Sequence, residues 1–176
     1  PSRSNVHGDT SDVPIEMQEA FHPYRFESYQ IRQDSAGPGR FRGGVGVIKT
    51  YRITGPCRLN LKVDRTKCPP WGLAGGGDAE PAQVEIRRAT GEVLRVLKQD
   101  HELRPGDQVL FCTGGGGGYG PPWQREIASV LEDVAQGYVS REAAAAAYAV
   151  VIGEDGALDA AATRELRKRL AHKAVK

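Results

Sequence analysis

The chain has 176 residues, and its 24 Lys and Arg nearly balance its 22 Asp and Glu, for a net charge of +2. This balance argues against a protein that binds nucleic acid or an anionic membrane through a strongly basic surface. Hydrophobic content of 39% and aromatic content of 7% are ordinary for a globular chain. No stretch approaches the roughly 20 apolar residues that span a bilayer, and the polar N-terminus lacks a signal core, so we expect a cytoplasmic protein.

The three cysteines also favour a cytoplasmic protein. Cys57, Cys68 and Cys112 form no CxxC pair, and no histidine lies near them at ligand spacing. An odd number of such cysteines argues against a disulfide framework or a zinc site. We expect three buried or half-buried thiols in a reducing compartment.

The first two thirds of the sequence predict short strands. A short helix is expected at 15–20, after Pro14, which suits a first helical position. Alternating or β-branched residues then predict six strands, with a turn at 34–39, a loop at 67–81 and a tight turn at Arg104-Pro105-Gly106-Asp107. The predicted strands are 24–32, 41–53, 58–63, 83–88, 92–97 and 108–113.

Beyond Gly120 the apolar period becomes helical. Ile127, Val130, Leu131 and Val134 share one helix face, and Gly137 is placed to end that helix. Two further helices are expected, at 141–151 after the N-cap Ser140 and beyond the N-cap Asp159. The predicted class is α+β: a β-rich part over 1–120, built as a sandwich or open barrel, and a helical tail over 121–176 that packs on it or on a partner.

A run of five glycines, Gly114 to Gly118, follows the last predicted strand and continues into Tyr119. Backbone amides without side chains can bind an anion such as a phosphate or a substrate carboxylate. The run lacks the Lys-Ser or Lys-Thr of a phosphate-binding P-loop and the spacing of a dinucleotide fingerprint. The alternative is a tight loop where two backbones or subunits meet, which only glycine permits. Both interpretations stay open, with Tyr119 included in the candidate contact loop.

A second glycine-rich segment, residues 37–44, carries Arg40 and Arg42. Either arginine can hold a substrate carboxylate in a two-pronged geometry. Arginines of this kind more often pair with an Asp or Glu at a subunit contact. Near the N-terminus, His7 and Asp9 form a further candidate pair for proton transfer, metal binding or substrate contact. The alternative is a turn in which Asp9 caps a backbone amide.

The outer face of the last predicted helix is basic. We interpret it as a solvated face whose charges suit the C-terminal end of the helix dipole. It also gives a weak indication of an acidic partner. Its basic residues are Arg164, Arg167, Lys168 and Arg169.

Taken in order, these pieces resemble the C-terminal region of the hydantoinase B family. That family includes N-methylhydantoinase B, one large subunit of acetone and acetophenone carboxylases, and the C-terminal half of 5-oxoprolinases. The resemblance covers nearly the whole chain. It rests on residues 10–16, 24–27, 37–46, 103–107, 113–121, 130–134, 137–144, 148–151 and 155–156.

The resemblance implies a multi-subunit, ATP-dependent system. An A-type ATPase subunit phosphorylates an amide or carboxylate-like oxygen, and the B-type subunit completes ring opening or, in the carboxylases, attack on activated bicarbonate. Family B-type chains are several times longer than this one, and their metal ligands are expected in an N-terminal portion. We therefore expect no cofactor in this chain, with ATP and a divalent metal bound on partner chains.

Three functions remain open from the sequence. The first is a small subunit or fragment of an ATP-dependent hydantoinase or oxoprolinase-type amidohydrolase, completing the B-type subunit and not active alone. The second is the same piece in a ketone carboxylase. The third is a purely structural interaction module.

Overall fold

The computed structural model describes residues 13–174, with side chains up to residue 170. A short helix, α1, is followed by seven strands, a 3-10 turn and three more helices, which confirms the predicted α+β class. The elements are α1 Ile15–Phe21, β1 Tyr24–Arg32, β2 Gly46–Ile53, β3 Cys57–Asn60, β4 Gln83–Arg87, β5 Val93–Val96, β6 Asp100–Leu103, β7 Gln108–Cys112, the 3-10 turn Pro122–Gln124, α2 Ile127–Ala135, α3 Arg141–Tyr148 and α4 Ala160–Ala174.

Five strands form an antiparallel sheet in the order β1-β2-β7-β4-β5, and β3 and β6 form a separate two-stranded sheet. Alternation along β4 buries Val84 and Ile86 on one face, where they join Val109 of β7 in the main core. The same core includes Leu61 and Leu103, which come from or directly follow the small sheet. Each such buried aliphatic side chain contributes roughly 1.5–3 kcal/mol, so apolar packing holds the two sheets together.

The largest differences from the predicted strands are two boundaries and one additional strand, and the other boundaries agree to within one residue. The second strand begins at Gly46 rather than at residue 41, because Phe41 makes only an isolated bridge with Tyr119. The third ends at Asn60, although the next residue, Leu61, is buried. Strand β6 was not predicted, because its sequence Asp-His-Glu-Leu has no apolar alternation. It forms by pairing with β3, where Arg58 and Glu102 form an ion pair at 2.8 Å.

The helical part has its own buried cluster. Val130, Val139, Ala144, Tyr148 and Val150 form this cluster. The side-chain oxygen of Ser140 accepts a hydrogen bond from the amide of Ala143 at 3.0 Å, which confirms the predicted N-cap. Helix α3 ends at Tyr148 rather than at residue 151, because Ala149 adopts a left-handed conformation with φ of 53°. Burial raises the pKa of the Tyr148 phenol to about 12.

All three cysteines are free thiols. Cys57 and Cys112 are half-buried, and burial raises the pKa of both thiols. The expectation of a buried or half-buried thiol is wrong for Cys68, which is exposed because it lies in the long loop between β3 and β4. No helix within residues 13–174 has the length and apolar character needed to cross a membrane.

The turn before β7 is held by a buried carboxylate. Gly106 has φ of +91°, as the predicted tight turn requires. The side chain of Asp107, only 4% exposed, accepts hydrogen bonds from the amides of Arg104 and Ala89 at 3.0 Å and from Arg88 at 2.8 Å. Burial acts to raise the pKa of Asp107, but these donors outweigh it and lower the pKa below its ordinary value of 3.8. The carboxylate therefore ties this turn to the end of β4.

Replacing Asp107 by Asn should lower the free energy of unfolding by roughly 2–3 kcal/mol, because an amide cannot accept all three hydrogen bonds and its own donors lack partners. The folded pKa is depressed, so this contribution is present above the unfolded pKa and is lost as pH falls through the folded pKa. Urea unfolding at several pH values should show that the free energy of unfolding falls less at acidic pH in Asp107→Asn than in the wild-type chain. Asp64→Asn, which removes an exposed carboxylate paired with Lys98, is the control, and equal effects of the two changes would contradict the assignment.

Candidate functional site

Three glycine-rich segments meet beside the main sheet, and we name residues 37–44, 72–77 and 114–120 the glycine junction. They come from before β2, from the loop before β4 and from the residues after β7. Backbone hydrogen bonds join all three: Gly37 N–H to Gly116 O at 2.8 Å, Gly116 N–H to Gly44 O at 2.8 Å, Gly77 N–H to Pro38 O at 2.7 Å and Gly118 N–H to Gly77 O at 3.0 Å.

The central segment of the junction leaves no space for most side chains. A Cβ atom on Gly117 would overlap the carbonyl of Trp71, and one on Gly118 would overlap the carbonyl of Pro38. Gly114 differs, since its Cβ would stand 3.1 Å from the nearest atom, the carbonyl oxygen of Glu80. The glycine run is therefore a place where backbones pack directly on one another.

Three backbone amides of the glycine run also donate hydrogen bonds. Those of Gly115, Gly116 and Gly118 donate to carbonyl oxygens of other segments at 3.2, 2.8 and 3.0 Å. In the described structure these three amides hold the junction together. Contact between the run and an anion stays a prediction.

Large apolar side chains surround the junction on its outer side, and we call Phe41, Trp71, Leu73 and Tyr119 the aromatic rim. They are 60%, 60%, 57% and 55% exposed. Phe41 and Tyr119 exchange two backbone hydrogen bonds of 2.9 Å, and their ring centroids are 6.3 Å apart. The guanidinium of Arg40 lies 5.6 Å from the centroid of the Phe41 ring. The structure thus places two predicted site residues, Arg40 and Tyr119, side by side at the surface.

Arg42 lies inside the protein and binds a carboxylate of the same chain. Its Nε is 3.1 Å from Oδ2 of Asp133 on α2, and Arg125 contacts the same oxygen through Nη2 at 2.9 Å. The side chain of Arg42 is 15% exposed, that of Asp133 is 7% exposed and that of Arg125 is 16% exposed. Arg42 also donates to the carbonyl of Gly43 and lies 5.1 Å from the centroid of the Tyr138 ring. This ion triad connects the glycine junction to the helical part.

Sequence reasoning missed Asp133, Arg125 and Arg32 as structural anchors. Arg32 donates to the carbonyls of Pro81 and Thr113 at 2.7 and 3.0 Å, after the second junction segment ends and just before the third begins. For Asp133 a signal exists, because it lies three residues after Val130 on the apolar face of α2. An acidic residue at a buried helix position indicates a charged partner. His7 and Asp9 lie outside the described residues.

This fold and junction define an α+β domain built around close backbone packing. A family model described as Hydantoinase B/oxoprolinase matches residues 3–122. The chain belongs to this family, as its resemblance predicts.

Named relatives place the chain within larger proteins. It is 31% identical, over 93% of its length, to the B component of a putative D-/L-hydantoinase from Pseudomonas sp. strain NS671, of which it covers 28%. It is 35% identical, over 87% of its length, to the beta subunit of the caprolactamase from Pseudomonas jessenii, of which it covers 27%. The chain therefore spans little more than a quarter of the length of these relatives.

Two solved structures share the fold. The crystal structure of the ATP-dependent caprolactamase from Pseudomonas jessenii matches 88% of this chain and 28% of its own, with a TM-score of 0.76 and 30% identity. The nucleotide-free acetone carboxylase structure matches 95% of this chain and 27% of its own, with a TM-score of 0.79 and 21% identity.

Substitutions within the glycine run should differ sharply in cost. Gly117→Ala and Gly118→Ala should each lower the free energy of unfolding by about 3 kcal/mol or more, because a methyl group there meets backbone that cannot move aside. Gly114→Ala should cost only about 1 kcal/mol, because the carbonyl it approaches needs to shift by a few tenths of an ångström. Chemical denaturation of the three variants measures the loss in the free energy of unfolding for each. Equal stability of all three would show that the junction is not closely packed.

Breaking the ion triad should be severe. Asp133→Asn leaves two largely buried guanidinium groups without a counter-charge, and we expect a loss of about 3–5 kcal/mol. Glu132→Gln, on the exposed side of the same helix, is the matched control and should change stability by no more than about 0.5 kcal/mol. Urea unfolding compares them, and a loss in Asp133→Asn as small as that of the control would overturn the structural role of the triad.

Proposed function

We propose that this chain is a small subunit or fragment of an ATP-dependent amidohydrolase of the hydantoinase and oxoprolinase type, and that it completes a B-type subunit. Family membership supports the reaction class. The lengths of the relatives support the proposal that this chain is one part of a larger subunit. In the two named relatives the matching stretch makes up only 27–28% of a longer chain. On this proposal the chain is not active alone.

The aromatic rim is the observation that carries the proposal. Its four large apolar side chains are each more than half exposed; Phe41, Leu73 and Tyr119 lie on the hydrogen-bonded junction, and Trp71 directly precedes its second segment. Contiguous exposed aromatic residues mark interaction surfaces, and aromatic residues are enriched at the centres of protein interfaces. We assign the rim to contact with the remainder of a B-type subunit, the portion that makes up the other nearly three quarters of the relatives' length.

An amidohydrolase is favoured over a ketone carboxylase by sequence. In the structural alignments, identity is 30% to the caprolactamase chain and 21% to the acetone carboxylase chain, and the latter likeness extends only to the fold. ATP and the divalent metal are then bound by an A-type subunit and by the remainder of the B-type subunit. Within this chain, Arg40 and Tyr119 are the residues we propose for substrate contact, since both side chains are exposed beside the junction.

Purification of the native assembly by a tag on the polypeptide that carries this sequence tests the proposal. We expect a B-type remainder and an ATPase subunit in the assembly, and ATP hydrolysis that increases with a cyclic amide such as hydantoin, 5-oxoproline or caprolactam.

Joint replacement of Phe41 and Tyr119 by Ala should weaken association about tenfold or more, whereas Val93→Ala, an equally exposed residue on β5, should not. Stimulation by acetone and bicarbonate instead would favour the carboxylase, and a folded monomer without partners would contradict both.

A further inference from the structure

A groove with a volume of about 710 Å³ lies between the 3-10 turn, the start of α2 and the first turns of α4. Trp123 and Ile127 form part of its wall. Four basic side chains from two distant parts of the chain also line it: Arg40, Arg164, Arg167 and Lys168. We call this the basic groove, and no acidic residue lines it.

These four cations differ from the other basic residues nearby. Arg42 and Arg125 share Asp133, and Arg169 pairs with Glu165 along α4 at 3.2 Å. Within residues 13–170, no ion pair joins a carboxylate to any of the four groove cations. Like charges at short distance repel most where solvent is partly excluded. The groove therefore concentrates positive charge, and the negative charge of Glu126 acts on Arg167 without forming an ion pair with it.

Arg167 is the least exposed of the four groove cations. Its Nη2 donates to the carbonyl of Arg125 at 2.7 Å, which fixes the guanidinium in place. Its Nε is buried and has no hydrogen-bond acceptor in the described structure. Burial lowers the pKa of Arg167, and the negative charge of Glu126 acts in the opposite direction. Because this Nε is buried, it is not part of the groove surface, and Arg167 lines the groove through its other atoms.

We propose that the basic groove binds an oligophosphate anion, either inorganic or the phosphate chain of a nucleotide. Guanidinium groups match phosphate oxygens in two-pronged geometry, and Lys168 adds a mobile ammonium. Positions 164, 167 and 168 lie three and four residues apart and so share one face of α4. Because four cations converge, a ligand with several negative charges fits the groove better than a single carboxylate does. Trp123 offers a flat aromatic surface on which a nucleotide base can stack.

Trp123 also provides the reporter for a test on this chain alone. The chain has two tryptophans, so Trp71→Phe leaves Trp123 as the single tryptophan, which can be excited selectively over tyrosine. Pyrophosphate and ATP are titrated against this variant by fluorescence and by calorimetry, and saturable binding that weakens with added salt is expected. Joint replacement of Arg164 and Lys168 by Gln should weaken binding about tenfold or more. The matched control replaces Arg169 and Lys98 by Gln, which removes the same charge from residues that pair with carboxylates, and should change affinity by about twofold or less.

Two outcomes support the site and identify the ligand. Equal affinity for pyrophosphate and ATP indicates recognition of the phosphate chain alone. Tighter binding of ATP that Trp123→Ala removes indicates a nucleotide whose base stacks on the indole. Three outcomes overturn the site: no saturable binding of either anion, an equal loss in the control variant, or tighter binding of a polyglutamate peptide, which would assign the groove to an acidic protein partner. None of them depends on the proposed amidohydrolase.

Discussion

Direct packing of backbone on backbone at the glycine junction is the constraint on which the rest of the structure depends. Its segments are separated by long stretches of sequence, yet amide-to-carbonyl hydrogen bonds of 2.7–3.2 Å hold them without side chains between them. Such packing has no rotamers to adjust, so it is rigid. Phe41 and Tyr119 exchange their backbone hydrogen bonds within the junction, and their side chains are left at the surface. The same geometry that requires glycine therefore produces a fixed apolar surface.

Two carboxylates connect the β-rich part to the helical part: Asp133, and Asp34, which accepts the amide of Ser140 at 2.8 Å. Asp133 contacts Arg42 from the junction and Arg125 from the residues before α2, and its own carbonyl accepts the amides of Tyr138 and Val139 just after that helix. Arg125 in turn donates to the carbonyl of Arg40, and its own carbonyl accepts from Arg167 on α4. These contacts together connect the basic groove to the aromatic rim.

The sequence predicts structural features that depend on neighbouring residues, but it does not predict those that depend on residues far apart in the chain. The Ser140 cap, the Arg104–Asp107 turn and the alternation in β4 depend on neighbours a few residues apart, so the sequence predicts them. Strand β6 depends on β3, about 40 residues earlier, and its own residues carry no apolar period. The glycine run indicated close backbone approach as one of two interpretations, but the segments it meets lie some 40 to 80 residues away. The Arg42–Asp133 pair spans 91 residues, which places it beyond any local pattern.

Arg40 joins the two proposed surfaces. Its backbone is fixed, since its amide donates to Gly120 and its carbonyl accepts from Arg125, while its exposed guanidinium lies near the Phe41 ring and lines the groove. If a B-type remainder covers the rim, water is excluded from one side of this guanidinium. A lower local dielectric strengthens its attraction to an anion in the groove. By thermodynamic linkage, anion binding would then favour docking to the same extent. If both proposals hold, the two surfaces are therefore coupled through Arg40, the side chain that both share.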